Sequence, residues 1–183
     1  MSNLVRHGAS ETIASGLQYD NEFWRFSLLV YKQNEVAKEC LALQETSGAN
    51  INLLLFCAWA GAQGIVLSNE NIEAASIAVA AWNETIVRPL RGVRQKIKSL
   101  GVGGLEEFRA GVKDIELEAE KIEQAILFDY LKSISGSPAG ADRRDVITEN
   151  VKKYLAFTSG AGERHSPGRS APYLIGAALR LRC

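Results

Sequence analysis

The sequence predicts an all-α protein: short N-terminal helices packed on a long antiparallel αα-hairpin. Three observations carry that expectation. Apolar residues recur at three- and four-residue spacing along most of the chain, with no alternating strand pattern of useful length. The segment "NINLLLFCAWAG", from Asn50 to Gly61, is apolar all round. And "GVGG", Gly101 to Gly104, separates two long stripes of matching period, as a hairpin turn would.

Each element follows in order. Tyr19 to Tyr31 reads as a short helix, capped by Asp20 or Asn21 and favoured by Glu22 in its first turn. Its apolar residues cover two faces, Phe23, Phe26 and Val30 on one and Trp24, Leu28 and Tyr31 on the other, so it should be covered on two sides. Asn34 can cap a second helix to about Glu45, with Val36, Cys40 and Leu43 on one face and Gly48 as a left-handed terminator.

The run from Ile51 to Ala62 is about a dozen residues, whereas a membrane span needs roughly 20. It is therefore expected at the centre of a bundle, with Asn50 or Asn52 as its cap. Ser68 caps a longer pattern, Ile72, Ala75, Val79, Trp82, Ile86, Leu90, Val93, Ile97 and Leu100, whose one four-residue stutter lies beside Pro89. Proline removes a donor and crowds the carbonyl of Thr85, which points to one kinked helix or two abutting ones; the continuous stripe favours the first. Beyond "GVGG", Leu105, Phe108, Val112, Ile115, Ala119, Ile122 and Ile126 imply a helix to about Ser133, roughly 45 Å long.

"SGSPAGA" reads as a linker, and Asp142 as the cap of a helix carrying Ile147, Val151, Tyr154 and Leu155. The expected organisation is a flexible N-terminus (1–18), a helical core with the hairpin (19–135), a peripheral helix (136–157) and a disordered Gly-, Ser- and Pro-rich tail (158–183). The ending "YLIGAALRLRC" is apolar but too short to cross a membrane.

Composition excludes several function classes. With 21 basic and 21 acidic residues in 183, no net field draws the chain to nucleic acid or an anionic membrane. The start, "MSNLVRHGASETIASG", has no secretory pattern, so the cytoplasm is the expected compartment. Cys40, Cys57 and Cys183 form no CxxC pair; Cys40 and Cys57 are expected as inert core thiols. The only histidines, His7 and His165, fall in the expected tails, leaving almost no material for a Ser-His-Asp, Cys-His or His-containing metal site.

Three blocks, "FWRFSLLVY", "CLALQETSGANINLLLFCAWAG" and "WNETIVRPLRGVRQKIK", together resemble a family of conserved proteobacterial proteins catalogued as a domain of unknown function. Its pattern runs FW-x-FSL, CL-x-LQ, N-x-LL and PLR-x-x-R, and the likeness covers roughly 23–98. The resemblance implies no activity, cofactor or catalytic residue.

Two constellations could carry chemistry. Arg88, Arg91, Arg94 and Lys98 form a basic run able to grip a phosphate, in a nucleotide, a metabolite or a nucleic-acid backbone. Folding at "GVGG" offers the other reading, ion pairs of Arg91 with Asp114, Lys98 with Glu107 and Arg88 with Glu116, and that reading is preferred. Trp24, Gln44, Asn52 and Trp59 could converge on a pocket, although helix ends and the core account for them as well. Glu116, Glu120 and Glu123 share a helix face, but without a Glu-x-x-His partner no metal is assigned. No cofactor and no catalytic residue is assigned either. The favoured expectation is a cytosolic interaction or assembly protein with a protein partner or a second copy of itself, more in keeping with a non-enzyme; a phosphate-ligand or nucleic-acid binder, which could be enzymatic, using Arg88, Arg91 and Arg94, is the alternative.

Overall fold

The computed structural model describes residues 16–134, 140, 142–158 and 170–181. His7, His165 and Cys183, with most of the expected N-terminal tail and half of the C-terminal one, lie outside the described residues. Every regular element within them is helical: α1 (Glu22–Tyr31), α2 (Asn34–Ser47), α3 (Ile51–Ala62), α4 (Asn69–Trp82), α5 (Arg88–Ser99), α6 (Glu106–Ser133), α7 (Arg143–Thr158) and α8 (Pro172–Arg180). Between α4 and α5, Asn83–Val87 form a π-helical turn, so helical backbone runs without a break from Asn69 to Ser99.

Helix α3 is the axis of the core. Every residue from Asn52 to Ala62 is buried, as expected for a run with no polar face. Asn50 caps it, accepting from the backbone N–H of Asn52 at 2.9 Å and of Leu53 at 3.4 Å. Phe23 of α1 stacks on Trp59 with ring centroids 5.1 Å apart and meets Phe56 edge-on, fixing α1 to this axis. Helix α1 is capped by Asn21, whose side chain accepts from Trp24 N–H at 2.8 Å. Helix α2 starts at Asn34 itself, with no side-chain cap, and ends at Gly48 with φ of 65°, the left-handed terminator expected.

The helix expected to be peripheral is a principal partner of α3. In α7, Val146, Ile147, Asn150, Val151, Tyr154 and Leu155 are all buried. Asp142 caps it, accepting from Arg144 N–H at 2.8 Å. The Asn150 amide fastens the chain leaving α3: its Oδ1 accepts from Leu67 N–H at 2.9 Å, and its Nδ2 donates to the Ile65 carbonyl at 2.8 Å. The expectation failed because Val146 and Asn150 were not counted with the stripe of Ile147, Val151, Tyr154 and Leu155, although together they make two covered faces.

The expected disordered tail also needs correction at 172–180, where α8 buries Leu174, Ala177 and Ala178. The carboxylate of Glu39 in α2 accepts from the N–H groups of Tyr173 and Leu174, satisfying donors that the first turn of α8 leaves open. Leu174, Ala177 and Ala178 keep helical spacing in the sequence; the Gly- and Pro-rich stretch before them hid it. Among the described residues no helix is long and apolar enough to cross a membrane.

The hairpin expected from "GVGG" is present as α5 and α6 joined through 100–105, with φ of 62° at Gly101 and 86° at Gly104, where a Cβ would be strained. Its two arms differ sharply from base to tip. Helix α6 buries eight residues, whereas α5 buries none.

Candidate functional site

The seam of the hairpin is charged, not apolar. The Arg91 guanidinium donates from Nε to Glu116 at 3.0 Å and from a terminal nitrogen to Glu120 at 2.5 Å. Arg94 donates to both oxygens of Glu116, the longer contact being 3.1 Å. Two arginine forks thus close on two carboxylates in the two-point geometry that suits guanidinium. The preferred pairing reading therefore places ion pairs in the hairpin, but of its three α5 members only Arg91 is paired, and with partners other than the one expected. Arg91 was expected beside Asp114 and Arg88 beside Glu116; Arg91 and Arg94 instead take Glu116 and Glu120, and neither those two expected pairs nor Lys98 with Glu107 forms a salt bridge. The cause is the lean of helical side chains toward their own N-terminus, which in antiparallel helices moves partners about a turn away from the level of their Cα atoms.

Two turns beyond Glu116 toward the base, Glu123 is fully buried and, among the described residues, takes part in no salt bridge. Three amides hold it: Asn50 Nδ2 at 2.6 Å, Asn52 Nδ2 at 2.9 Å, and Asn83 Nδ2 at 3.1 and 3.3 Å from its two oxygens. Gln124 Nε2 then donates to Asn52 Oδ1 at 2.8 Å. Tyr154 completes the cluster from α7, donating to the Asn50 carbonyl at 2.9 Å and accepting from Asn50 N–H at 2.8 Å. One carboxylate thereby ties together the start of α3, the π-turn and the middle of α6.

Beside this cluster lies a cleft of about 210 Å³, lined among others by Asn50, Leu53, Val79, Asn83, Arg88 and Tyr154. Arg88 stands at its edge, and among the described residues it takes part in no salt bridge. The cleft adjoins the π-turn, whose wider ring re-aims Asn83 toward α6; such turns recur at functional sites.

Burial pushes the Glu123 carboxyl above its ordinary value of 4.5, with the asparagine amides opposing. Burial also raises Glu120, against the pull of Arg91. For Glu116 burial works upward too, but the hydrogen bonds and charges of Arg94 and Arg91 outweigh it and hold the carboxyl low. These directions predict opposite slopes in stability on the two sides of pH 4.5. Below it, the contribution of Glu116 is lost as pH falls through its depressed folded value. Above it, the folded state still binds protons at Glu120 and Glu123 that the unfolded chain has released, so stability falls as pH rises through that window. Urea midpoints measured across both windows should show the alkaline-side slope shrink in Glu123→Gln and the acid-side slope shrink in Glu116→Gln.

The other expected site residues are scattered. Trp59 is buried against Phe23, and Trp24 is buried under the Lys121 ammonium at 5.8 Å from the ring. Gln44 lies on α2, and neither it, Asn52, Trp24 nor Trp59 lines the cleft. Trp82 is only partly buried; its Nε1 donates to the Ala119 carbonyl at 2.9 Å, binding α4 to α6. Lys98 is exposed near the tip. Cys40 and Cys57 are buried free thiols, with burial pushing Cys40 up to about 12 and Cys57 up as well. Among the described residues no group of three or more His, Cys, Asp or Glu could hold a metal ion. Asn83 and Tyr154 were missed as site residues; the stutter beside Pro89 was the one sequence signal near Asn83.

No curated protein and no solved structure matches the chain. A family model described as "Protein of unknown function (DUF2390)" matches residues 22–127, from the start of α1 to the buried part of α6. That stretch holds the Arg–Glu seam and every member of the Glu123 cluster except Tyr154, and covers more than half of the chain, which therefore belongs to this family of unknown function.

Proposed function

We propose that the protein is an interaction or assembly factor whose hairpin arm is the contact surface. One observation carries this reading: α5 buries no residue, and the outer half of the hairpin leaves large apolar side chains in solvent. Val93 is 47% exposed, Leu100 65%, Phe108 61% and Ile115 58%. Isolated exposed apolar residues are ordinary, but a run of them along one arm marks a surface that another chain covers. The pairing of Arg91 and Arg94 within the hairpin supports the same reading, because an anion site built from the basic run would need those forks free. The setting this reading assumes is the cytosol, where buried thiols such as Cys40 and Cys57 stay reduced.

The test is affinity capture from native cells with the wild type and with Phe108→Asp/Ile115→Asp. Both side chains are mostly exposed, so the variant should keep its helical circular dichroism and its urea midpoint. A stoichiometric protein, or a second copy, should be recovered with the wild type and lost with the variant. Equal recovery with both would remove the arm from the function.

A second reading rests on Arg88 alone. Its position at the edge of the cleft, next to the π-turn, supports a site for a phosphate-containing ligand, with a nucleic-acid backbone as the less favoured source. On that reading pyrophosphate raises the melting temperature of the wild type and not of Arg88→Ala. Equal shifts, or none, would exclude it.

A further inference from the structure

Resting on the interaction reading, we propose that the partner of the arm is a second copy of this chain, and that two hairpins pack face to face as a four-helix bundle with α5 of each copy over α6 of the other. The faces follow from helical period. Taking the mean direction of Arg91 and Arg94 as the seam, Leu90, Val93, Ile97 and Leu100 lie about 70–150° round α5 from it. Taking Glu116 as the seam on α6, Phe108, Ile115 and Ile122 lie about 80–120° round in the same sense. Because the helices are antiparallel, both stripes fall on one broad side of the hairpin. Helix α1 does not cover that side; its Trp24 is reached by Lys121, which points about a third of a turn away from the stripe.

Charge selects the occupant and its orientation. Every charged residue of α5 is basic: Arg88, Arg91, Arg94, Lys96 and Lys98. The outer edge of α6 carries Glu107, Asp114 and Glu118. A twofold axis along the hairpin lays the basic arm of each copy on the acidic arm of the other, whereas an axis across it would set α5 against α5 and oppose like charges. The same lean toward the N-terminus that matches Arg94 to Glu116 within the hairpin matches Lys96 to Asp114 between copies. Both are exposed, and among the described residues neither forms a salt bridge within its own chain. Self-complementarity of this kind is what a closed, isologous pair requires.

Sedimentation equilibrium of the full chain at low salt tests the proposal. The wild type should be dimeric and Phe108→Asp monomeric. Lys96→Glu alone, or Asp114→Lys alone, should raise the dimer dissociation constant roughly two- to thirtyfold, since each symmetric interface loses two rim pairs. An equimolar mixture of these two variants should recover the wild-type constant, because both pairs reform in the heterodimer. Both changes are on the surface, so folding does not confound them. A wild type that stays monomeric but captures another protein through Phe108 would overturn this inference and leave the interaction reading standing. A monomer that captures nothing would overturn both, and a dimer whose mixture is no tighter than its parts would overturn the α5-over-α6 arrangement proposed.

Discussion

Gly61→Ala should destabilise the protein by about 1–3 kcal/mol, and Gly61→Leu should prevent folding altogether. A Cβ at Gly61 would stand 2.6 Å from the Ile147 Cα and 2.8 Å from its backbone nitrogen. These are main-chain atoms, so no rotamer change relieves the contact; α7 must move away from α3. Alanine gains at most about 1 kcal/mol of helix propensity over glycine, which the overlap exceeds. Displacement of α7 also strains the Asn150 bonds to Ile65 and Leu67 and the two Tyr154 bonds to Asn50. The measurement is a urea midpoint by circular dichroism. An unchanged midpoint would mean that α3 and α7 do not cross in contact at this position.

Glu123→Ala should cost about 3 kcal/mol or more, because it leaves the amides of three buried or part-buried asparagines without their acceptor and opens a cavity on α6. Removing a charged group from the interior offsets part of that loss, but only where the partners can turn elsewhere. Asn50 is held by its cap and Asn52 by Gln124, so neither is free to do so. Glu123→Gln keeps the shape and one acceptor oxygen and should cost much less. Comparing the two urea curves separates loss of the hydrogen-bonded hub from loss of its charge; equal costs would mean that the charge, not the hub, carries the contribution.

Much of this architecture is legible residue by residue where local rules decide it. Asn21, Ser68 and Asp142 cap the helices they precede, Gly48 ends α2, and the uncharged, largely apolar run after Asn50 is the axis of the core. Ser68 and Asn71 form a reciprocal capping box, bonding at 3.2 and 3.0 Å. What local rules do not decide is which apolar face meets which neighbour. The stripe through Val93, Ile97 and Leu100 looks like the hairpin seam, yet arginines one residue away on the wheel form it, because a paired guanidinium and carboxylate can sit where a stripe alone would predict leucine. The π-turn announced itself only as an irregular spacing beside Pro89. One extra residue per turn changes no composition, and its effect, the aim of Asn83 at Glu123, is visible only in three dimensions.

The cluster around Asn50 also sets when, during synthesis, the chain can fold. Tyr154 and Asn50 are 104 residues apart, and Glu39 reaches Leu174 across 135. The most apolar helix, α3, leaves the ribosome long before α7 and α8, which cover it. Until they emerge, its available partners are α1, α4 and, once made, the base of α6, whose Phe128 and Tyr130 meet Trp59 and Phe56. At about 5–20 residues per second, the hundred or so residues to Tyr154 take roughly 5–20 s to add. Over that interval the nascent chain carries an apolar rod whose α7-facing side is bare, a natural client for a holding chaperone, and it is α7 and α8 that release it.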